Sequence, residues 1–319
     1  RAGMLAFFGS GGLPLEEVEL ALKDLSREEN IWGCNLLHNP NEPRIEEKTV
    51  SLLLQYGVKV VSASAFILLS KSLIRYRYSG ISMQDGKIHC PNQIIGKISH
   101  PTIAARFLSP PPQNLLLDLM REGVLTEEQV RWAKKVPVAS GLMIEGDSGG
   151  HTDSRPLSVI FPTILRLRDS LMDANQFQDK TLLGAAGGLG EPFALRSAFA
   201  MGADFVVVGS VHQSTIEAGT SIRVKELLAM ATITDCSKGI APDMFEQGAS
   251  VQVLSKKTFY ATRSKKLYNM YRQYTGVSAI PKADLERIER QIFQVSLQEV
   301  WNDVQRYWHA RDPQQLKRA

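Results

Sequence analysis

The sequence predicts an α/β chain: a (β/α)8 TIM barrel over residues 1–212, apparently lacking its first strand, followed by a helical cap subdomain over residues 213–319. Three observations lead there. Short apolar runs alternate with amphipathic helical segments through the first two thirds, the pattern of buried parallel strands and their crossover helices. Two consecutive strand ends late in that stretch carry glycine-rich turns, as the phosphate-binding loops of such barrels do. After Gly209-Ser210 the apolar spacing turns helical.

The elements follow in order. Met4-Leu-Ala-Phe-Phe8 reads as a strand ending at Gly9-Ser-Gly-Gly12, and Pro14 opens a helix with Leu15, Val18, Leu22 and Leu25 on one face. Ile31-Trp-Gly-Cys-Asn35-Leu-Leu37 is the next strand, with a helix over 45–56. Val58-Lys-Val-Val-Ser62 and Ile94-Ile-Gly-Lys97-Ile98 follow. Residues 106–136 hold the turn Pro110-Pro-Pro112 and two amphipathic segments, a helical excursion. Strands at Leu142, Thr181 and Phe205 bring the total to seven. A closed barrel takes eight, so one strand is expected before Arg1; an open seven-stranded sheet is the alternative. Beyond residue 213, helices are expected over 220–231, 263–274 and 282–307, without strands of their own.

A chain of 319 residues, 44% of them hydrophobic, can bury a full core. The net charge of +4 lies in the C-terminal third: from Gln213 onward there are 16 Lys+Arg against 11 Asp+Glu, leaving 21 against 22 before it. That region therefore suits an acidic partner or an anionic cosubstrate, the plain alternative being a solvated helical surface. Cys34, Cys90 and Cys236 are far apart with no C-x-x-C pair, which disfavours a disulfide framework or metal site and suggests reduced, cytoplasmic thiols. No apolar run approaches a bilayer span, and the first residues are too briefly apolar for a signal peptide. Because residue 1 is Arg, residues upstream are expected to have been lost.

Function concentrates in Glu145-Gly-Asp-Ser-Gly-Gly-His151-Thr-Asp153. Gly149 and Gly150 let a main chain approach a bound group without a Cβ in the way, and they bring the His151 imidazole to a strand mouth. This has the character of a cofactor site with its own acid/base group. The glycines of Leu182-Leu-Gly-Ala-Ala-Gly187-Gly188-Leu-Gly190 and Asp204-Phe-Val-Val-Val-Gly209-Ser210 suggest a phosphate grip, with Pro192 as the first residue of a helix. A Rossmann fingerprint is excluded because the glycines come late, after several βα units, and with the wrong spacing.

These residues carry a family resemblance. The Gly-Gly-His turn, the Ala185-Ala-Gly-Gly188 turn and the Gly209-Ser210 turn occur in the same order in flavin-dependent barrels of the nitronate monooxygenase group. Asp147-Ser-Gly-Gly-His-Thr-Asp153, Pro162-Thr-Ile-Leu-Arg-Leu-Arg-Asp169, Glu217-Ala-Gly-Thr-Ser221, Asp243-Met-Phe-Glu246 and Arg263-Ser-Lys-Lys-Leu-Tyr268 resemble the trans-acting enoyl reductases of polyketide and polyunsaturated fatty acid synthases. The resemblance spans nearly the whole chain.

It implies an FMN enzyme that takes a hydride from NADPH and gives it to the β-carbon of an enoyl thioester on an acyl carrier protein. Gly187, Gly188, Gly209 and Ser210 would then hold the FMN phosphate, or serve tight turns only. Asn35 would hydrogen-bond the flavin ring or ribityl chain, or its own turn. Lys97 would stabilise the reduced ring near N1 and the C2 carbonyl, or be paired or snorkelling; Glu145 is a weaker candidate beside it. Gly149 and Gly150 would let the main chain pass the isoalloxazine. His151 would polarise the thioester carbonyl or protonate the α-carbon, with Asp153 setting its tautomer or acting as a helix cap. His38 either lines the pocket or serves its turn. Lys256-Lys257 and Arg263-Ser-Lys265-Lys266 would receive the acidic carrier protein, and Trp301, Tyr307 and Trp308 would pack in the core or at a homodimer contact. No metal is expected. Competing readings are a nitronate monooxygenase-like oxidase and a non-catalytic scaffold of a synthase complex.

Overall fold

The computed structural model describes residues 4–317. Its strands, in chain order, are β1 (Ala6–Phe8), β2 (Trp32–Leu37), β3 (Val60–Ser64), β4 (Ser82–Gln84), β5 (Lys87–His89) and β6 (Gln93–Ile98). These are followed by β7 (Gly141–Glu145), β8 (Gly150–His151), β9 (Leu182–Ala186), β10 (Phe205–Val207), β11 (Cys236–Ile240) and β12 (Ser250–Leu254). The chain forms two compact units: residues up to 147 with 154–208, and residues 148–153 with 209–319.

The first unit is built on a seven-stranded sheet in the order β1-β2-β3-β6-β7-β9-β10, every pair parallel. Each successive pair is joined through helical segments, as parallel neighbours require. The sheet is curled and TIM-barrel-like, and it has the seven strands expected of the sequence. Pro14 precedes helix Leu15–Leu25, and Pro192 opens helix Pro192–Ala200, as their fixed φ favours. After helix Pro101–Phe107, the excursion holds the two helices Gln113–Arg121 and Glu127–Ala133, the latter with a capping box from Thr126 and Gln129.

Alternation along the strands sorts the two faces. Cys34, Leu36, Val61, Ala63, Ile94, Leu142, Ile144, Leu183 and Ala185 are buried with Val18, Leu22, Val50, Leu53, Leu73, Phe107, Phe161 and Ile164 of the helices. Each Leu, Ile, Val and Phe side chain among them contributes roughly 1.5–3 kcal/mol of burial. On the other face the register aligns Phe7 with Gly33, Asn35 with Ser62, Lys97 with Met143, Glu145 with Ala186 and Gly184 with Phe205. Here an aromatic ring lies against a glycine at each end of the sheet. A Cβ on Gly33 would meet the Phe7 ring at 2.6 Å, and one on Gly184 would overlap Phe205. The rings fill the amino-terminal half of this face, and the polar side chains stand at the carboxyl-terminal half.

A hairpin of β4 and β5 also went unforeseen, although its turn, Asp85-Gly86 with φ of 48° and 76°, is the type favoured in two-residue hairpins.

The second unit departs from the expected all-helical cap. It contains an antiparallel sheet in the order β11-β12-β8. The strands were hidden because β11 and β12 are short and mixed in polarity, and β8 is two residues whose partner strand lies about 100 residues away. Helix Tyr260–Gln273 covers β11: the Ile240 amide donates to Ser264 Oγ at 3.1 Å, and the Tyr260 hydroxyl donates to the Ile240 carbonyl at 2.7 Å. Phe245, Tyr268 and Tyr271 pack ring against ring. The helix expected over 282–307 is broken into Lys282–Ile288, a wide turn at Glu289–Phe293, and Leu297–Arg311. The break falls at Gln294, which is left-handed with φ 61°, and a Ser296–Glu299 capping box restarts the helix.

Candidate active site

In the first unit the candidate residues gather at the carboxyl-terminal ends of the strands, where barrel chemistry is sited. The Asn35 amide donates to the Ser62 carbonyl at 3.1 Å and to Ser64 Oγ at 3.0 Å, so its side chain is held across β2 and β3. The Ser10 hydroxyl donates to the Asn35 carbonyl at 2.5 Å. Lys97 and Glu145, which end neighbouring strands on the same face, form an ion pair at 2.9 Å, with 35% and 18% of their side-chain surfaces exposed. The paired state raised as the alternative for Lys97 is thus the one observed, and its partner is the other candidate charge.

Gly187 and Gly188 both have positive φ, 95° and 69°. Gly187 lies against Gly146: a Cβ on it would come within 2.6 Å of the Gly146 carbonyl oxygen, and the Gly146 amide donates to the Ala186 carbonyl at 2.9 Å. A Cβ on Gly146 would in turn meet Leu157 at 2.8 Å. Close packing of main chain on main chain therefore accounts for Gly187, while a Cβ on Gly188 would have nothing nearer than the Asp147 carbonyl oxygen at 3.6 Å. The Glu191 carboxylate accepts from the Phe193 and Ala194 amides, so those amides at the start of helix Pro192–Ala200 are already engaged.

His38, just past β2, is in a network. Its Nδ1 lies 2.6 Å from the buried Glu46 carboxylate, the Ser70 hydroxyl donates to the same carboxylate, and its ring stacks on Phe66 at 4.9 Å. The three groups fasten the segments after β2 and β3 to helix Pro43–Gln55, a role beyond a local turn.

In the second unit, Gly150 has φ 92°, and a Cβ on Gly149 would come within 3.1 Å of Ser210 Oγ. The Ser148 hydroxyl is buried without a hydrogen-bond partner. Gly209 and Ser210 begin the short helix Ser210–Gln213 and are exposed. His151 lies on β8, opposite Val251 of β12, and so belongs to the antiparallel sheet. Its Nε2 is 2.9 Å from Asp243 Oδ1, with 47% and 54% of the two side chains exposed. Asp243, 92 residues away in sequence, is the partner that sequence reasoning missed in favour of neighbouring Asp153; no local spacing signals such a pair. Helix Leu157–Asn175 has Pro156 as its N-cap residue, with no side-chain cap hydrogen bond.

Lys265 and Lys266 line a cavity of about 460 Å³ with Ser237, Thr262, Asn269 and Met270. Lys256 pairs with Asp235 at 3.2 Å. Among the described residues there is no cluster suited to a metal ion, and no helix is long and apolar enough to cross a membrane.

A curled parallel sheet with helices between its strands and polar groups at their carboxyl ends defines a TIM-barrel-like α/β protein. Comparisons with known proteins narrow this. The enoyl reductase domain of MlnA, from the macrolactin biosynthesis cluster of Bacillus amyloliquefaciens, superposes with a TM-score of 0.92 at 35% identity, covering 99% of this chain and 71% of that one. Polyketide biosynthesis protein PksE of Bacillus subtilis is 40% identical over 98% of this chain and 41% of its own length. A polyunsaturated fatty acid synthase subunit of Thraustochytrium is 39% identical over 99% of this chain and 22% of its own length. Residues 274–319 match the family described as acyl-carrier-protein S-malonyltransferase, inserted helical domain. The chain belongs to the trans-acting enoyl reductase family of polyketide and polyunsaturated fatty acid synthases. It spans less than half the length of these curated relatives.

Proposed function

We propose that this chain reduces the α,β double bond of an enoyl thioester carried on an acyl carrier protein, with FMN as resident cofactor and NADPH as hydride donor, in polyketide or polyunsaturated fatty acid synthesis. The observation that carries the reading is the polar set of the first unit: Asn35 and the Lys97–Glu145 pair on the inner face at the carboxyl ends of β2, β6 and β7. Family membership supports it.

The donor set fits a flavin. Asn35 offers an amide held in place by Ser62 and Ser64, and Lys97 offers a cation beside which negative charge on a reduced ring is favoured. Glu145 holds the Lys97 ammonium, and Gly188 presents a main chain free of a Cβ. FMN, when bound, relays hydride between nicotinamide and substrate. Gly187, packed on Gly146, supports that turn; phosphate contact is proposed for Gly187, Gly188, Gly209 and Ser210, and ring contact for Gly149 and Gly150. His151 supplies the acid/base group: its N–H donates to the thioester carbonyl or gives a proton to the α-carbon.

The carrier protein is assigned to the basic cavity of Lys265 and Lys266, whose cations and hydroxyls suit an acidic helix or the phosphodiester of its prosthetic arm. The likeness of residues 274–319 to part of an enzyme named for acyl carrier protein agrees with that. A homodimer and a cytoplasmic setting complete the proposal.

Absorbance of the full-length protein, as isolated and after NADPH without oxygen, is the test. A flavin band that bleaches with NADPH and returns on adding a crotonyl thioester is the expected result. A colourless protein that takes up no FMN would overturn the reading.

A further inference from the structure

The sheet of the second unit orients His151 from two sides. In register, His151 faces Val251, and Val251 faces Gly239. Directly opposed residues of antiparallel strands share a face. On that face a Cβ at Gly239 would meet Ser264 Oγ at 2.9 Å and the Tyr260 ring at 3.1 Å, so it is the face covered by helix Tyr260–Gln273. Lys238 and Gln252, one position along, belong to the opposite face with Gly150. Asp243 meets His151 on that side, and Tyr260 of the covering helix lies there too.

Asp243 follows β11 by three residues, in a turn closed by the Ala241 amide donating to the Ala249 carbonyl at 2.8 Å. Its carboxylate reaches His151 Nε2 at 2.9 Å. The Tyr260 hydroxyl donates to the Ile240 carbonyl, three residues before Asp243, and burial, then the Asp243 charge, raise its pKa above the ordinary value.

We propose that Asp243 is a positioning residue: it accepts from His151 Nε2–H and so leaves Nδ1 as the nitrogen turned to substrate. Which ring nitrogen carries the proton is set by the hydrogen bond the other makes. The assignment rests on the enoyl-reductase reading. With FMN bound, hydride that it would pass on from NADPH would form the new C–H bond at the β-carbon, and the π pair would go to the α-carbon and thioester oxygen. The Nδ1–H bond of the imidazolium then breaks toward the α-carbon, leaving neutral imidazole with its Nε2–H on Asp243, to be reprotonated from solvent.

The pair is half exposed, so the fold does not depend on it, and Asp243→Ala is suited to the test in the full chain. Ring-nitrogen NMR of histidine-labelled protein at alkaline pH, where the ring is in its neutral form, with His151 assigned through His151→Gln, should report one tautomer, Nε2–H, in the parent and an averaged mixture in Asp243→Ala. Asp243→Asn keeps an acceptor oxygen and should restore the single tautomer. With a crotonyl thioester, kcat should fall roughly 10- to 100-fold in Asp243→Ala with KM nearly unchanged, and recover in part in Asp243→Asn. Identical ring shifts in parent and Asp243→Ala, or a loss confined to KM, would overturn the positioning role. A parent protein that takes up FMN yet reduces no enoyl thioester would instead overturn the functional reading, a result separable from the NMR.

Discussion

Alanine at position 187 separates two reasons for a glycine at the end of β9. The residue has φ 95°, which costs an L side chain roughly 1–2 kcal/mol. Its new Cβ would also sit 2.6 Å from the Gly146 carbonyl oxygen, so one of two hydrogen-bonded main chains must move, at about 1–3 kcal/mol more. Gly187→Ala should therefore lose about 2–5 kcal/mol. Gly188→Ala is the control: its φ of 69° carries the same backbone cost, but its Cβ would have no neighbour nearer than 3.6 Å, so a loss of only about 1–2 kcal/mol is expected. Urea unfolding followed by far-ultraviolet circular dichroism measures both, through the midpoint at constant slope. Moving Gly146 also moves Glu145, so FMN retention should fall more in Gly187→Ala than stability alone explains. Equal losses in the two variants would refute the claim that Gly187 is required by the approach of Gly146.

Lys97→Met leaves the mostly buried Glu145 carboxylate without its cation, which should cost about 1–2 kcal/mol by denaturation and weaken FMN retention on desalting at least ~10-fold; unchanged flavin content would remove Lys97 from the cofactor's surroundings. The Cys34 thiol is pushed up to about 11 by burial, only partly offset by its hydrogen bond with Ser10, so at pH 8 roughly one molecule in a thousand carries the thiolate. Cys90 is raised by burial as well, whereas Cys236 is exposed. Titration of the native protein with a disulfide reagent at pH 8 should find one fast thiol, lost in Cys236→Ser, and three after unfolding; a fast second thiol that persists in Cys90→Ser would contradict the burial of Cys34.

The strands of the first unit were legible because each is a short run with one face in the core, and alternation such as Cys34, Leu36 against Gly33, Asn35 writes that geometry into the chain. Helix starts at Pro14 and Pro192 were equally local. Lys97 and Glu145 could each be singled out as strand-end charges, but their pairing follows from strand order, which brings β6 beside β7 across the whole excursion.

Local periodicity, then, determined by itself a parallel α/β architecture, since it depends on a few adjacent residues. Tertiary structure alone decided the partners: Glu46 for His38, Gly146 for Gly187 and Asp243 for His151. It also decided that His151 pairs in an antiparallel sheet with β12. The physical reason is that a hydrogen bond or a close main-chain contact between distant residues costs the sequence no periodicity, so it leaves no pattern until the chain is folded.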